Sequence, residues 1–375
     1  MSEAIQVTAA SLEIPPSGTD DRSWVGRRRI ISGDALMAGV SRLGALTIIL
    51  LLVILIAVLS YSAWPSIKTF GWKFIVTSQW RPNSLQVPVR DEAGRPVLED
   101  GRVVTETIPP AFGALPVIYG TAVSSLLALC IAVPISLGTA LFLVRLCPRW
   151  LAMPVSLLVE FLAAIPSIAY GMWGLFVLAP ILQHYVEPAL RTGLGWIPGL
   201  GSWLFTETVT RAGETVTRPI PLTGKDMFCG GVVLAIMILP IITAISRDVL
   251  KSVPRAQIEG TLALGATWWQ SSREMLRYSR SGLFGAVMLG LARAAGETMA
   301  ITMVIGNSSR IHASLFAPAQ TMSSLLANEF AEASGALHRA ALTEVALILL
   351  LMSLMLNVVA RWLVVGASAR TAAAH

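Results

Sequence analysis

Long stretches without a single charged side chain dominate this sequence. Residues 43–67, 107–144 and 227–246 contain no Asp, Glu, Lys or Arg, and three further stretches are interrupted only by isolated charges. A helix needs about 20 apolar residues to cross the hydrocarbon of a bilayer, whereas a soluble core needs no such run. The charged fraction of 13% is also well below the roughly 25% of soluble domains. The pattern predicts an all-α polytopic membrane protein with six transmembrane helices.

The positions of the charges also predict the parts of the chain. We predict a disordered cytoplasmic tail at 1–42, a first transmembrane helix at 43–63, an external insert at 64–112, a core with five transmembrane helices at 113–366, and a cytoplasmic tail at 367–375. Within the core, an external loop at 185–224 and a cytoplasmic loop at 247–280 follow from the same gaps. The insert alternates valines with polar residues around the turn signals Ala93-Gly94 and Asp100-Gly101, which predicts a small external β-hairpin. The loop at 185–224 is a candidate for a second hairpin.

The basic residues indicate the orientation in the membrane. Lys and Arg are divided almost evenly between the two sets of loops, but on one side they lie close to helix ends, and on the other side acids balance them. Because basic residues near helix ends favour the cytoplasm, we expect both termini to be cytoplasmic, in a multi-pass protein of the bacterial inner membrane. The formal net charge of +6 comes without a basic cluster interleaved with aromatics, so we expect no nucleic-acid partner.

Several kinds of site are not expected in this chain. No Cys and His residues are grouped at metal-ligand spacing, and no side chains form a recognisable catalytic group. The one Gly-Lys pair, Gly224-Lys225, follows Pro219 where a phosphate-binding loop requires its first glycine. We therefore expect no bound cofactor and no enzymatic activity, and any ATP and magnesium that the protein depends on would have to be bound by a separate subunit.

The cytoplasmic loop carries the most informative motif. Pro254 favours the start of a short helix and Gly265 its end, while Glu259 is presented beside the small Gly260. A small residue next to an acid lets another protein approach the backbone closely, which suits docking to a moving partner. The alternative, a plain amphipathic helix lying on the lipid headgroups, stays open on these residues alone.

This loop resembles the coupling loop of binding-protein-dependent ABC importer permeases, which docks on an ATPase subunit. The residues that carry the resemblance are Glu259, Gly260, Thr261, Ala263 and Gly265. The family pattern has Ala at the second and third positions, where this chain has Gly and Thr. These small substitutions leave docking feasible, and the resemblance implies that this loop binds the ATPase.

The fifth predicted helix narrows the resemblance. Its stretch 290–308, which includes Gly-Glu-Thr-Met at 296–299, is similar to phosphate importer permeases, in particular the PstC-type subunit, and so is the stretch 165–180 of the third helix. The resemblance implies a type I importer permease (MetI-like) core. It also implies a PstA-type permease subunit, an ATPase dimer and an external phosphate-binding protein as partners.

Two charges inside the fifth predicted helix are candidates for the translocation pathway. Arg293 and Glu297 are four residues apart, so on a continuous helix they would share a face and form an ion pair. Charges at this depth are costly and tend to face a protein interior or a water-filled path. An arginine could replace water lost by a phosphate anion, with Glu297 limiting its trapping and Thr298 adjacent. The alternative is an ion pair that only fixes helix packing.

Other polar residues are weaker pathway candidates: Glu160, Glu344, Asn307 and Ser308. Three other functions also stay open on the sequence. A permease for molybdate, sulfate or an organic solute would keep the docking loop but lack the motif at 296–299. A secondary transporter or channel would need no docking loop, and a subunit that chiefly signals phosphate status is not excluded.

Overall fold

The computed structural model describes residues 33–88, 98–99, 102–103, 105–197, 199–211 and 214–372. The chain divides into two compact units, residues 1–56 and 57–375. The described part of the first unit is the beginning of helix α1 (Gly33–Phe70). The features below belong to the second unit.

Helices form most of the described chain. They are α2 (Lys73–Val76), α3 (Leu115–Arg145), α4 (Arg149–Ala164), α5 (Ser167–Trp173), α6 (Ala179–Ile181), α7 (Glu187–Leu194), α8 (Leu200–Phe205), α9 (Met227–Lys251), α10 (Arg255–Ala263), α11 (Trp268–Tyr278), α12 (Arg280–Gly296), α13 (Met299–Val304), α14 (Met322–Glu329) and α15 (Ala336–Ala372). Two π-helical segments, Gly174–Leu178 and Leu182–Val186, join α5, α6 and α7 into one continuous stretch.

Short antiparallel strand pairs occupy the two predicted external segments. The strands are β1 (Leu85–Pro88), β2 (Leu98–Glu99), β3 (Arg102–Val103), β4 (Thr105–Ile108), β5 (Thr206–Arg211) and β6 (Glu214–Pro219). β1 pairs with β4, β2 with β3, and β5 with β6. The β-structure predicted in the insert is therefore confirmed, and the segment 185–224 contains α7, α8 and the hairpin β5–β6. The turn signals Ala93-Gly94 and Asp100-Gly101 lie outside the described residues.

The all-α polytopic prediction is confirmed, but two of the six predicted transmembrane helices are interrupted. Among the described residues, four helices are long and apolar enough to cross a membrane, or five if a bent pair counts as one span. The bent pair is Arg149–Ala164 with Ser167–Leu194, at an angle of 89°. It turns at Pro166, which cannot donate a helical hydrogen bond. The fifth predicted helix is divided between α12 and α13.

The two ends of the chain are more helical than predicted. Residues 33–42, assigned to the disordered tail, belong to α1, and residues 367–372 belong to α15. Leu, Met and Ala in 33–42, and Ala and Arg in 367–372, are good helix formers, so each helix continues past the apolar run that defined it. Residues 1–32 and 373–375 lie outside the described chain.

Helix α9 is the centre of the packed core. It contacts α3, α4, α12 and α13, and its apolar side chains meet small residues on the neighbouring helices. Glycines permit a close approach at two places. A Cβ at Gly290 on α12 would lie 2.6 Å from the side chain of Ile242 on α9, and one at Gly120 on α3 would lie 2.1 Å from the carbonyl of Gln320 in the loop before α14. Tight packing of this kind transmits movement between helices, because it leaves no space to absorb it.

Candidate functional site

The predicted docking helix exists and is anchored on one side. α10 begins after Pro254, and Gly265 follows its end in the left-handed region with φ +82°. Ile258 packs against the buried cluster that includes Leu250 of α9 and Leu283 of α12. This anchorage joins α10 mechanically to the ends of two long helices.

A chain of hydroxyl contacts fixes the same side of α10 to two more helices. Oγ1 of Thr261 donates to the carbonyl of Ile258 at 2.8 Å and lies 3.1 Å from Oγ of Ser271 on α11. Nη2 of Arg145, at the end of α3, lies 3.4 Å from the same Ser271 oxygen. Thr261 of the motif therefore holds α10 against the permease and does not face outward.

The remaining motif residues form the outward face of α10. Glu259, Gly260, Ala263 and Gly265 are all exposed, and a Cβ built on Gly260 would meet no described atom within 4 Å. Leu264 beside them is 91% exposed. This surface combines an exposed acid, an uncrowded glycine and an exposed leucine, while the opposite side of α10 packs on the permease. Such a surface is suited to a groove on another protein.

The structure places Arg293 and Glu297 differently from the prediction. α12 ends at Gly296, and Glu297 adopts an extended backbone with ψ 133°. The two residues therefore do not share the face of one helix. Arg293 is exposed and Glu297 is 8% exposed, and between these two described residues no ion pair forms within 4.0 Å. The predicted i, i+4 pair is wrong because the helix that it requires stops between the two charges.

The break itself is stabilised by hydroxyl groups. Oγ of Ser323 donates to the carbonyl of Glu297 at 2.6 Å, and the carbonyl of Thr298 accepts from both the backbone N–H and Oγ1 of Thr302, at 3.1 and 2.6 Å. A carbonyl that loses its helical partner in a membrane must find another, and for Glu297 that partner is Ser323. Arg293 is thus left as an exposed cation in the last turn of α12, just before an irregular segment.

Glu160 and Glu344 occupy different environments. Oε1 of Glu160 on α4 lies 3.0 Å from Nη1 of Arg247 on α9. Glu344 on α15 is 6% exposed, and its Oε2 is buried without a hydrogen-bond partner among the described residues. Glu160 therefore joins two helices, while Glu344 is enclosed by protein.

Asn307 and Ser308 belong to the rim of a cavity that the sequence did not predict. The cavity, about 490 Å³, lies between the segments 78–81 and 307–310 and includes two arginines, Arg81 and Arg310. The arginines are more than two hundred residues apart in the chain, so no local sequence pattern predicts that they line one cavity. Only the tertiary fold brings them together.

A second feature that the sequence missed is a buried pair of acids, Glu187 and Asp226. Both are fully buried, and neither Oε atom of Glu187 has a hydrogen-bond partner in the described chain. Asp226 caps α9, with Oδ1 accepting from the backbone N–H of Cys229 at 2.8 Å. Burial, partly offset by that hydrogen bond and reinforced by the charge of Glu187, raises the pKa of Asp226 to about 8. The sequence signal available was the N-cap position of Asp226, which indicates a helix start but not the second acid.

Comparison with known proteins gives one family and a set of close relatives. Residues 132–371 match the family described as binding-protein-dependent transport system inner membrane component. The phosphate transport system permease protein PstC of Mesorhizobium japonicum is 41% identical over 347 residues, covering 92% of this chain and 94% of that protein. The protein of the same name from Haemophilus influenzae is 40% identical and covers 88% of this chain and 93% of its own.

Solved structures also match. A chain described as an inward facing conformation of the MetNI methionine ABC transporter covers 68% of this chain and 94% of its own, with a TM-score of 0.45 and 18% identity.

Proposed function

Since the chain belongs to the binding-protein-dependent transport system inner membrane components, and within them to the PstC-type phosphate permeases, we propose that it is a membrane permease subunit of an ATP-driven importer of inorganic phosphate. The observation that carries this proposal is the 41% identity, which extends over 92% of the chain. The chain is a transport subunit and not an enzyme. Its family implies a system of permease, ATPase and binding protein.

The chain forms half of the translocation pathway and a PstA-type subunit forms the other half. An ATPase dimer docks on the cytoplasmic side and a phosphate-binding protein on the external side. Both termini are cytoplasmic, in the inner membrane of a bacterium. The exposed apolar faces of α1 and of the bent pair support contact with lipid or with a second permease, since many of their large side chains are solvent-accessible in the isolated chain.

ATPase coupling starts at α10. Glu259, Gly260 and Ala263 face outward for docking, while Ile258 and Thr261 hold the helix to the permease. A displacement of α10 is therefore transmitted to the inner ends of α3, α9 and α12. Because these helices interlock around α9, the displacement reaches the core of the subunit.

We assign Arg293 to the translocation pathway, where its guanidinium contacts the passing phosphate. It lies on α12, one of the helices that α10 can move, and its side chain is exposed in the isolated subunit. A guanidinium donates paired hydrogen bonds to phosphate oxygens and can briefly replace lost water. Glu297 is enclosed and does not neutralise it by direct pairing, so Arg293 retains its attraction for an anion.

The test is uptake by the reconstituted complex. Vesicles that contain this chain, its partner permease and the ATPase, with the binding protein outside, should accumulate labelled phosphate only with ATP. Excess sulfate or molybdate should not compete. Transport of either anion instead of phosphate would indicate another type of importer. Uptake without ATP or the ATPase would indicate a secondary transporter or channel.

A further inference from the structure

We propose that the cavity between segments 78–81 and 307–310 binds inorganic phosphate at the outer mouth of the permease, with Arg81 and Arg310 as its cations. This inference rests on the proposed function, because it assigns a second phosphate site to the same pathway. We call this feature the outer cavity.

The outer cavity is at the opposite end of the subunit from α10. The backbone N–H groups of Met227 and Phe228, at the start of α9, donate to the carbonyls of Ala317 and Leu315 at 3.2 and 2.8 Å. The loop that carries Arg310 is therefore fastened to the first turn of α9, whereas α10 follows its last turn. A helix of 25 residues separates the two by roughly 37 Å. If α10 meets the ATPase inside the cell, the outer cavity faces outside.

The charge of the outer cavity favours an anion. Two arginines line it, and no carboxylate lines it among the described residues. Trp80 also lines it and donates through Nε1 to Oε2 of Glu329 at 2.8 Å, and this oxygen lies 3.0 Å from Nε2 of His338. Glu329 is thus engaged by neighbours and does not line the cavity itself.

A nearby cavity provides a contrast. It has a similar size, about 530 Å³, but is lined by Glu207, which lies 3.9 Å from Nδ1 of His312 and 4.0 Å from Nη2 of Arg218. A carboxylate there repels an anion and lies within ion-pair distance of Arg218. Of the two cavities, only the outer cavity combines hydroxyl and amide groups with arginines that form no ion pair among the described residues.

Arg81 is held in place but is not fully hydrogen-bonded. Its backbone pairs with Ala111, and Nη2 donates to the carbonyl of Pro109 at 3.2 Å. Nε is buried without a hydrogen-bond partner in the described chain. A buried N–H without an acceptor is costly, so Arg81 gains from a movement of its guanidinium that brings an anion oxygen to this group. Arg310 is exposed on the facing segment and free to approach such an anion.

The opposite rim of the outer cavity is rigid. Gly306 and Asn307 both have positive φ, +89° and +51°, and Nδ2 of Asn307 donates to the carbonyl of Thr302 at 2.8 Å. The N–H of Ser308 donates to the carbonyl of Ala319 at 3.1 Å, and Oγ of Ser309 donates to Oε1 of Gln320 at 2.6 Å. These contacts fix the segment directly after α13, so the rim and Arg293 lie on one continuous stretch of chain. Phosphate released outside would meet the outer cavity before Arg293.

The volume suits a hydrated anion. At roughly 30 Å³ for each water molecule, a cavity of about 490 Å³ holds phosphate with much of its water. Charge-assisted contacts from two arginines would then attract phosphate without stripping it, which permits release toward the pathway.

The test is equilibrium binding of ³²P-labelled inorganic phosphate to the whole complex without binding protein, with ADP filling the nucleotide sites. The complex is held in nanodiscs of phosphatidylcholine alone or with phosphatidylglycerol. Arg310→Gln and the double variant R81Q/R310Q should each bind phosphate at least about tenfold more weakly. Arg310→Lys should retain part of the binding. Arg339→Gln, which removes another exposed arginine at the same end, should bind as the wild type.

Three outcomes would overturn the assignment. Equal phosphate binding by wild type and R310Q would show that the outer cavity is not a phosphate site. If R310Q instead loses binding, misfolding does not explain the loss, because Arg310 is exposed. If wild type and R310Q differ in phosphate binding only when phosphatidylglycerol is present, and not in phosphatidylcholine alone, the occupant is an anionic lipid headgroup. If R310Q binds phosphate as the wild type does but no longer associates with binding protein added in a second measurement, the cavity is a protein-docking surface. The proposed function has a separate readout, which is ATP-dependent uptake of phosphate by the wild-type complex.

Discussion

Nη1 of Arg247 on α9 lies 3.0 Å from Oε1 of Glu160 on α4, and Nη2 of the same guanidinium lies 2.9 Å from Oδ1 of Asp248. The arginine side chain is only 11% exposed, so it is held between two carboxylates. This arrangement explains the otherwise isolated charge of Glu160 by helix packing and makes a role in the pathway unnecessary.

Glu160→Gln should therefore leave phosphate uptake nearly unchanged. Because the Glu160 side chain is 47% exposed, the pair contributes only roughly 0.2–1 kcal/mol to the free energy of unfolding. A change of uptake below about twofold is expected, with a small decrease in the thermal unfolding midpoint in detergent. Asp248→Asn, which removes the other partner of Arg247, is the matched control. A loss of uptake specific to Glu160→Gln, with the folded protein intact, would return this acid to the pathway.

Gly260→Trp should abolish ATPase docking while the permease still folds. The space around Gly260 is open in the described chain, so a large side chain disturbs a docked partner and not the subunit itself. Co-purification of the ATPase and ATP-dependent uptake measure the effect. Gly193→Trp is the control, because Gly193 on α7 is a second exposed helical glycine with nothing within 4 Å. Normal docking by Gly260→Trp would show that the ATPase binds elsewhere.

Gly265→Val should weaken coupling by a different route. Gly265 has φ +82°, where a residue with a side chain is strained by roughly 1–2 kcal/mol. The end of α10 should then shift or fray, lowering uptake and ATPase co-purification together. Gly265→Asn tolerates the left-handed conformation better and should retain more of both. Equal behaviour of the two variants would mean that the backbone conformation at this position does not matter.

Arg293→Gln should lower the maximal rate of phosphate uptake roughly tenfold or more, since it removes charge-assisted hydrogen bonds to the anion. Arg293→Lys should be intermediate, because it keeps the charge and loses the paired donors. Arg361→Gln on α15 controls for the loss of one exposed positive charge. Uptake by Arg293→Gln at the wild-type rate, with normal ATPase docking, would exclude Arg293 from the pathway.

Asp226 should make the protein less stable as the pH rises. Its pKa is raised to about 8 in the folded state, while the unfolded chain loses the proton near pH 3.9. The folded form therefore binds more protons between these values, and the free energy of unfolding falls with rising pH across that window and levels off above about pH 8. Thermal unfolding midpoints between pH 5 and 8 measure this slope.

Asp226→Asn should flatten that slope, because it removes the titrating group and keeps an oxygen to cap α9. Its unfolding midpoint should exceed that of the wild type most clearly at the upper end of the range. Asp248→Asn, which removes an exposed acid at the other end of α9, should follow the wild-type slope. The same slope in Asp226→Asn would assign the pH dependence to other groups.

The sequence was informative where local rules act. Proline and glycine predicted the limits of α10, alternation predicted the strands of the insert, and charge gaps predicted where the spans lie. It failed where a rule holds only under a structural condition that the sequence does not reveal. The spacing of Arg293 and Glu297 indicates a common face only on an unbroken helix, and the hydroxyl groups that stabilise the break come partly from Ser323, distant in the sequence. The meeting of Arg81 with Arg310 was inaccessible for the same reason.

The division between α12 and α13 has a mechanical consequence. An unbroken span would behave as a rod, so that a push at its inner end would move its outer end equally. Glu297 and Thr298 interrupt the rod, with the carbonyl of Glu297 fastened to Ser323. The inner piece, α12, is one of the helices that α10 can displace. The outer piece, α13, leads into the loop that is hydrogen-bonded to the first turn of α9. Such a pivot allows one gate of the subunit to open while the other stays shut, which any pump working against a gradient requires.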